Sequence, residues 1–204
     1  MKEQDVPSPI DFRDPVDAQQ WEATAQDRPG RLEMFQAFAA ELRGISNSRL
    51  DVLELGSGPG FLAAYLLQEM LQIRMTLLDY SDAMHNLARK RLGKDVDRVH
   101  FAKRDFKESG WKQGLGMFDA VITNQAVHEL QHKKYAVGLH SMVKGLLRPG
   151  GTYLVSDHFF GEGGLQNDQL YMTITDQQET LRKAGFAAVC QVAAAGSLVM
   201  HRAI

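Results

Sequence analysis

Short apolar runs alternate with amphipathic segments along most of the chain. The runs are six or seven residues long, contain mainly aliphatic and aromatic residues, and several of them end on a polar residue. Such runs are typical of strands that are buried on both faces of a sheet. The predicted strands are LDVLEL at 50–55, RMTLLD at 74–79, VHFAKR at 99–104, FDAVITN at 118–124 and TYLVSDH at 152–158.

Helix start and stop signals separate these strands. Ser81 is placed to cap a helix over residues 82–92, and Gly93 is placed to end it. A later helix is predicted to begin at Thr175, which has the spacing of a capping box, and to end at Gly185.

The order of these elements predicts the fold class. Alternating strands and helices form a mostly parallel α/β sheet with helices on both faces, and RPGG at 148–151 is predicted to turn the chain into the fifth strand. Residues 187–204 contain two strand-like runs that are separated by only Ala-Ala-Gly, which predicts an antiparallel hairpin. Residues 1–48 are expected to form a helical lid over the ligand-binding edge, and residues 49–204 to form the main folding unit.

Composition limits the classes of function. The 204 residues carry a net charge of −2, so the chain lacks the excess of positive charge that attracts nucleic acids and anionic membranes. The single cysteine, Cys190, cannot form an internal disulfide and is interpreted as a strand or core residue. No apolar run approaches the roughly 20 residues of a membrane span, and the first residues lack the apolar core of a signal peptide. We therefore expect a cytoplasmic protein that binds neither nucleic acid nor membrane.

The segment VLELGSGPGFLAAYLL at 52–67 predicts a ligand site. A strand ends within it, positions 56, 58 and 60 are glycine, and an apolar helix follows at once. Glycines let the backbone turn tightly and approach a ligand without a Cβ in the way. The next strand ends at Asp79, 23 residues after Gly56, close to the spacing of an acid that binds ribose hydroxyls. The pattern predicts an adenosine-containing ligand.

Two common nucleotide-binding loops do not fit this segment. The nicotinamide fingerprint G-x-G-x-x-G needs a glycine where Phe61 stands, and no Gly-Lys-Ser/Thr follows as in a P-loop. The sequence is instead E-x-G-x-G-x-G, beginning at Glu54. It is better suited to an uncharged or zwitterionic part of a nucleoside ligand.

The chain resembles the class I S-adenosylmethionine-dependent methyltransferases over about three quarters of its length. The resemblance implies a doubly wound, seven-stranded, mostly parallel sheet with a C-terminal antiparallel hairpin. It also implies S-adenosylmethionine as methyl donor and S-adenosylhomocysteine as product. The segments that carry it, in the family's order, are VLELGSGPG, LLDYSDAM, FAKRDF, FDAVITNQAVHEL and LLRPGGTYLVSDH, followed by the terminal hairpin.

The resemblance further implies roles for single residues. The loop with Gly56, Ser57, Gly58 and Gly60 would lie against the methionine part of the cofactor, and Glu54 would orient its amino group. The other implied cofactor contacts are Asp79 with the ribose hydroxyls, Tyr80 near the adenine, Asp105 with the adenine amino group, the Phe106 backbone beside it, and Asn124 and Gln125 near the methionine portion or the reacting centre.

Judged by residue type alone, two of these positions have simpler interpretations. Asp105 could cap a helix, and Tyr80 could be a half-buried surface aromatic. The N-terminal lid adds three residues of its own. Trp21 either stacks on the ligands or anchors a helix on the sheet, and Arg28 or Arg31 would pair with the methionine carboxylate.

The sequence HELQH at 128–132 has the H-E-x-x-H pattern of zinc proteases. The extended form of that pattern fails, because Tyr135 and Gly138 stand where a glycine and a third histidine belong. Since the segment follows a predicted strand at the ligand-binding edge, we interpret it as a turn beside the cofactor and predict no metal site. His132 is expected to face solvent, and His128 either packs the turn or acts as a general base.

The base hypothesis for His128 has a chemical reason and a resemblance behind it. An imidazole, with an ordinary pKa near 6.5, can deprotonate a hydroxyl at neutral pH. His128-Glu129 is also similar to the His-Asp step of plant-type small-molecule O-methyltransferases, whose histidine is the base.

We therefore expect a methyltransferase that acts on a small molecule by in-line displacement, with O-methylation as the specific hypothesis. The alternatives are a non-catalytic cofactor-binding or regulatory protein and, less favoured, a zinc hydrolase. The sequence names neither the acceptor atom nor the oligomeric state.

Overall fold

The computed structural model describes residues 4–25, 28–46 and 48–204. In these ranges the chain forms six α-helices around a seven-stranded sheet. The helices are α1 (Pro15–Ala25), α2 (Arg31–Arg43), α3 (Phe61–Glu69), α4 (Asp82–Leu92), α5 (Ala136–Lys144) and α6 (Ile174–Lys183). The strands are β1 (Leu50–Leu55), β2 (Ile73–Asp79), β3 (Val99–Lys103), β4 (Phe118–Asn124), β5 (Leu147–His158), β6 (Val189–Ala195) and β7 (Leu198–Ala203).

The strand order in the sheet is β3-β2-β1-β4-β5-β7-β6. Strands β1 to β5 are parallel, whereas β7 pairs antiparallel with both β5 and β6. The chain moves outward from β1 to β3 and then returns to place β4 on the other side of β1. The carboxyl ends of β1 and β4 therefore lie at the switch point where doubly wound sheets bind ligands. This topology confirms the predicted fold class.

Apolar side chains cover both faces of the sheet. Alternate residues of β1 belong to different core clusters: Leu53 packs with residues of α5 and α6, whereas Val52 packs with residues of α2 and α3. Helix α2 contributes Met34 and Phe38 to the same cluster as Val52. Helix α2 thus shares its apolar core with the sheet, whereas Ala18 of α1 packs with Met84 and Leu87 of α4. In the described parts of the chain, no helix combines the length and apolar character that crossing a membrane requires.

Three local features differ from the sequence predictions. Strand β5 already begins at Leu147, because RPGG forms an irregularity within the β4–β5 pairing, between the pairs Phe118–Leu147 and Ala120–Thr152, instead of a turn before the strand. The cap of α6 is Thr173, whose hydroxyl accepts a hydrogen bond from the Asp176 amide at 3.0 Å, so the prediction of Thr175 was wrong. Cys190 does lie on a strand, but on the edge strand β6, where its side chain is exposed.

Candidate functional site

A cavity of about 400 Å³ opens at the carboxyl ends of the parallel strands. We call the loop 56–60 with the ends of β1 and β2 its glycine-loop half. The ends of β4 and β5, with the segment 159–172, form its histidine half. Of the predicted site residues, those that line the cavity are Trp21, Arg28, Arg31, Glu54, Gly56, Ser57, Gly58, Asp79, Tyr80, Phe106, Asn124, Gln125 and His128.

The glycine loop requires a backbone that other residues adopt poorly. Gly56, Gly58 and Gly60 have φ angles of 65°, 52° and 74°, in the left-handed region. A Cβ added to Gly56 would lie 2.5 Å from the Cβ of Ala126. Gly60 does not line the cavity; it caps α3 and packs against Ala88. The loop is therefore fixed by its backbone and by close packing against the segment after β4.

Asp79 ties this loop to the end of β2. Its Oδ2 accepts a hydrogen bond from the Gly58 amide at 2.8 Å, and its Oδ1 accepts one from the Ser81 amide at 2.9 Å. Burial raises the pKa of Asp79 to about 6, against the opposing effect of these hydrogen bonds. A carboxylate oxygen can accept more than one hydrogen bond, so Asp79 keeps acceptor capacity toward the cavity.

Several polar atoms in the cavity wall are buried without a partner in the described structure. They are Oε2 of Glu54, Oγ of Ser57, Oδ1 of Asn124 and Nε of Arg31. Burial and the charge of Asp79 raise the pKa of Glu54 well above its usual range. Leaving such a group unsatisfied costs about 1–3 kcal/mol, which a polar ligand group would offset. This part of the wall therefore suits a ligand with both donor and acceptor groups.

Two aromatic residues belong to the cavity wall near the glycine loop. Tyr80 and Phe106 both line the cavity, and the guanidinium of Arg13 lies 4.9 Å from the centre of the Tyr80 ring. Asp105 does not line the cavity in this structure. Its Oδ1 accepts a hydrogen bond from the Lys107 amide at 2.9 Å, so the carboxylate caps the turn that follows it.

The histidine half centres on a hydrogen-bonded pair between neighbouring strands. Nδ1 of His128 lies 2.7 Å from Oδ1 of Asp157, and the His128 amide donates to Oδ2 of Asp157 at 2.9 Å. The amide of His158 also donates to Asp157 Oδ1 at 2.8 Å. Asp157 ends β5 beside β4, so the topology itself brings the two side chains together. With Nδ1–H donating to Asp157, the lone pair of Nε2 is available for another partner.

The interaction between His128 and Asp157 shifts the pKa of both residues. Burial alone would lower the pKa of His128, but the charge and hydrogen bond of Asp157, together with Glu129, raise it above its ordinary value. Burial alone would raise the pKa of Asp157, but His128 holds it below its ordinary range. Nε2 of His128 lies 3.6 Å from Oε1 of Glu129. An imidazole set between two carboxylates is well placed to receive a proton.

Two further rings surround His128. The ring centres of His158 and Tyr171 lie 5.8 Å and 5.5 Å from that of His128, and 5.9 Å from each other. Nδ1 of His158 lies 2.8 Å from the Ser197 hydroxyl. Leu165 lines the same part of the cavity. The wall here is aromatic and apolar except for the His128 side chain and its partners.

The HELQH sequence does not form the helical face that a zinc protease uses. His128 lies on a short 3₁₀-helix, Val127–Leu130, and Gln131 then adopts the left-handed conformation with φ 68°. His132 was expected to face solvent, and this expectation was wrong: its side chain is buried, and its Nδ1 accepts a hydrogen bond from the Lys134 amide at 3.0 Å. Its place in the turn before α5 explains the burial.

Residues of the N-terminal segment line one side of the cavity. Phe12 lies edge-on to Trp21 with ring centres 5.6 Å apart, and the Ser81 hydroxyl donates a hydrogen bond to the Phe12 carbonyl. Arg31 is buried, with its guanidinium carbon 5.0 Å from the centre of the Phe61 ring. Burial and the charges of Arg28 and Arg91 lower the pKa of Arg31 to about 10.

The sequence did not indicate all residues that line the cavity, nor the strained backbone at Gln125. Asp157 was available as a polar residue at the end of a predicted strand, but nothing in the sequence named His128 as its partner. Gln125 follows β4 with φ 58°, which is unfavourable for a residue with a Cβ, and its amide donates to the Ser156 carbonyl at 2.8 Å. The lining residues that were not predicted as site residues are Phe12, Phe35, Pro59, Phe61, Leu62, Met84, Ala126, Glu129, His158, Leu165 and Tyr171.

Residues 52–151 match the family model described as "Methyltransferase domain". These residues include the glycine loop, Asp79, Asn124 and His128, and they end within β5 before Asp157. The matched family therefore covers the glycine-loop half and the turn that carries His128.

Three similar proteins illustrate the range of relatives. The chain is 28% identical over 116 residues to the non-reducing polyketide synthase ausA of Penicillium brasilianum, and the aligned region covers 54% of this chain and 4% of that protein. It is 29% identical over 123 residues to the malonyl-[acyl-carrier protein] O-methyltransferase of Priestia megaterium, covering 59% of this chain and 40% of that protein. The chain thus spans less than half of the length of both curated relatives. The structure titled "DhpI-SAH complex" superposes with a TM-score of 0.72 at 21% identity, covering 93% of this chain and 92% of that one.

Proposed function

We propose that the chain is a class I S-adenosylmethionine-dependent methyltransferase, in line with the match of residues 52–151 to the methyltransferase-domain model, and that it transfers a methyl group from S-adenosylmethionine to a small-molecule acceptor by in-line displacement. The observation that carries the proposal is the glycine-loop half of the cavity. A left-handed glycine loop there meets buried, unpartnered polar atoms of Glu54 and Ser57, and Oδ1 of Asn124 at the end of β4 adds a third. When bound, the cofactor supplies a methyl group activated by its sulfonium.

The residues present fit this cofactor. The side chains of Glu54, Ser57 and Asn124 would hold its amino-acid part, and the buried guanidinium of Arg31 would pair with its carboxylate. Asp79 would accept hydrogen bonds from the ribose hydroxyls with the acceptor capacity that remains. Tyr80 and Phe106 would flank the adenine. The solved neighbour in complex with SAH (S-adenosylhomocysteine) is in line with this assignment.

We propose His128 as the general base for an acceptor hydroxyl. Asp157 holds the imidazole through Nδ1, so that Nε2 is the atom that takes the proton. The raised pKa of His128 makes the imidazole a stronger base, and Asp157 stabilises the imidazolium that forms. One curated relative is an O-methyltransferase by name, which supports oxygen as the acceptor atom.

The acceptor is proposed to be a small molecule because the chain has a net charge of −2 and no basic surface bias. We also propose that the segment 1–48 acts as a lid, since Phe12, Trp21 and Arg31 line the outer side of the cavity. A cytoplasmic location, with neither nucleic acid nor membrane as partner, belongs to the same proposal.

Calorimetric titration with S-adenosylhomocysteine, followed by a methyl-transfer screen with labelled S-adenosylmethionine, tests the proposal. We expect one binding site per chain and transfer to at least one hydroxylated small molecule. Absence of binding would contradict the proposed function. Binding without transfer to any member of a broad acceptor panel would favour a non-catalytic, cofactor-binding protein.

A further inference from the structure

We propose that the methyl acceptor is a hydroxylated small molecule that carries a carboxylate, and that Arg28 binds this carboxylate. The inference rests on the proposed function, because it assigns the acceptor class of the same cavity. It starts from the two guanidinium groups that line the cavity and from the different surroundings of each.

Arg31 belongs to the glycine-loop half. It is buried against Phe61, the first residue of the helix after the glycine loop, with its guanidinium carbon 5.0 Å from the ring centre. The charge of Arg91 acts on it, and Arg91 donates to the Pro59 carbonyl of the same loop at 2.9 Å. Arg31 therefore stands where the amino-acid part of the cofactor would lie. One cofactor carboxylate is enough to neutralise one guanidinium.

Arg28 is a neighbour of Arg31, since its charge acts on Arg31 and the guanidinium of Arg31 also lies over the Trp21 ring, at 5.9 Å, but the two differ in exposure. The side chain of Arg28 is exposed, and its guanidinium carbon lies 5.2 Å from the centre of the Trp21 ring. Its charge also reaches the histidine half: together with burial and His128 it lowers the pKa of His158, and it opposes the rise in the pKa of His128. Because Arg28 is exposed whereas Arg31 is buried, Arg28 lies at the open side of the cavity that His128 also lines, and Trp21 supports its planar group.

The carboxylates of the cavity leave Arg28 without a counter-charge. Within the described ranges, no Asp or Glu forms an ion pair with Arg28. Burial and the charge of Asp79 raise the pKa of Glu54, Asp79 accepts from two backbone amides, and Glu129 lies 3.6 Å from His128. Since the cofactor brings only one carboxylate, which we assign to the buried Arg31, Arg28 remains available for an anionic group of the acceptor, the other molecule that the cavity holds.

The chemistry of the wall defines the rest of the acceptor. A guanidinium presents two parallel N–H groups that match a carboxylate, and its single positive charge matches a monoanion. Phe35, Leu165 and Tyr171 add apolar and aromatic surface to the cavity that Arg28 and His128 also line. A hydroxylated aromatic acid fits this arrangement, with its hydroxyl at Nε2 of His128 and its carboxylate at Arg28.

Matched acid and amide probes test the inference directly. The S-adenosylhomocysteine complex is titrated with 4-hydroxybenzoate and 4-hydroxybenzamide, and with 4-hydroxyphenylacetate and its amide, at up to about 10 mM. The same titrations are made on Arg28→Gln, Arg28→Lys, Arg31→Gln and, as a matched control, Arg89→Gln. Arg89 also covers an aromatic ring, Phe101 at 4.2 Å, and does not line the cavity.

We expect at least one acid to bind about tenfold or more tightly than its amide, because a charge-assisted hydrogen bond is lost in the amide. Arg28→Gln should abolish this preference, Arg28→Lys should keep part of it, and Arg89→Gln should leave it unchanged. The affinity of Arg28→Gln for S-adenosylhomocysteine should stay within about threefold of the wild-type affinity, whereas Arg31→Gln should lower this affinity about tenfold or more.

Two results would overturn the inference. One is that no acid binds more tightly than its amide in either pair. The other is that Arg28→Gln weakens S-adenosylhomocysteine as much as Arg31→Gln does, which would assign both guanidiniums to the cofactor. If the wild type does not bind S-adenosylhomocysteine at all, the proposed function itself is contradicted, and this is measured first in every preparation.

Discussion

The glycine-loop half and the histidine half of the cavity are built in different ways. The first consists largely of backbone: left-handed glycines at 56 and 58, held by the carboxylate of Asp79, all within the β1–β2 unit. The second depends on side chains that come from distant parts of the sequence, such as His128 and its partner Asp157. A backbone site tolerates almost no added volume, whereas a side-chain site can lose its chemistry and keep its shape. Substitutions should therefore separate the two halves.

The largest effect is expected from Gly56→Ala. The left-handed backbone costs about 1–2 kcal/mol for a residue with a Cβ, and the overlap with Ala126 costs roughly 1–3 kcal/mol more. Urea unfolding should show this loss of stability, and calorimetry should show little or no S-adenosylhomocysteine binding. Gly58→Ala is the matched control, because an added Cβ there meets nothing within 4 Å. Equal stability losses for the two variants would contradict the packing argument.

His128→Ala should act on the other half alone. Loss of a general base lowers the rate of methyl transfer by about 10²–10⁴-fold, while the affinity for S-adenosylhomocysteine should stay within about threefold. The wild-type rate should rise with pH through the pKa of His128, which lies above its ordinary value, because only the neutral imidazole can take a proton. A rate that does not depend on His128 at any pH would show that the acceptor needs no base from this residue.

Asp157→Asn should shift that pH profile and leave the cofactor site intact. Without the carboxylate, burial dominates, so the pKa of His128 falls and the midpoint of the profile moves to lower pH. The rate should fall by about 10²-fold or more, because the imidazolium is no longer stabilised. An unchanged midpoint would mean that Asp157 does not set the titration of His128.

The same pair predicts how stability depends on pH. The pKa of His128 is raised in the folded protein, so its contribution is complete below the unfolded pKa of about 6.5 and is lost as pH rises through the folded pKa. Thermal unfolding between pH 6 and 9 should therefore show a steeper loss for the wild type than for Asp157→Asn. Parallel curves would contradict the ion pair.

The smallest effect is expected from Ser81→Ala. Ser81 caps α4 by accepting from the Met84 amide at 3.1 Å and also donates to the Phe12 carbonyl. Thr173→Ala removes the equivalent cap of α6 and is the matched control. Each should lower the free energy of unfolding by about 1 kcal/mol. Only Ser81→Ala should weaken the binding of S-adenosylhomocysteine, by a few-fold, because of the two capping residues only Ser81 also bonds to the N-terminal segment. Equal affinities for both variants would place Phe12 outside the cofactor's environment.

The same contrast explains what the sequence could predict. The strands, the cap at Ser81 and the glycine loop are encoded by neighbouring residues, and the structure places them within a few residues of their predicted positions. The Thr173 cap and the irregularity at 148–151 differ because helix packing and strand pairing decide which of several local signals is used. Local patterns therefore suffice for the β1–β2 half of the site.

The histidine half could be predicted only in part. His128 was identified because it follows a strand at the switch point, but the sequence carries no signal that Asp157, 29 residues later, holds it. His132 was misplaced because a left-handed residue at Gln131 breaks the helix that the H-E-x-x-H spacing suggests. Side-chain convergence of this kind depends on strand order and loop paths, which periodicity does not specify.

The central claim is that the glycine-loop half binds the cofactor and the histidine half does the chemistry. The most direct test titrates S-adenosylhomocysteine into the wild type, Gly56→Ala and His128→Ala, and measures labelled methyl transfer by the same three proteins. We predict that His128→Ala binds like the wild type but transfers about 10²-fold or more slowly, and that Gly56→Ala does neither. Loss of binding in His128→Ala, or wild-type transfer rates without it, would contradict the division of the cavity into these two halves.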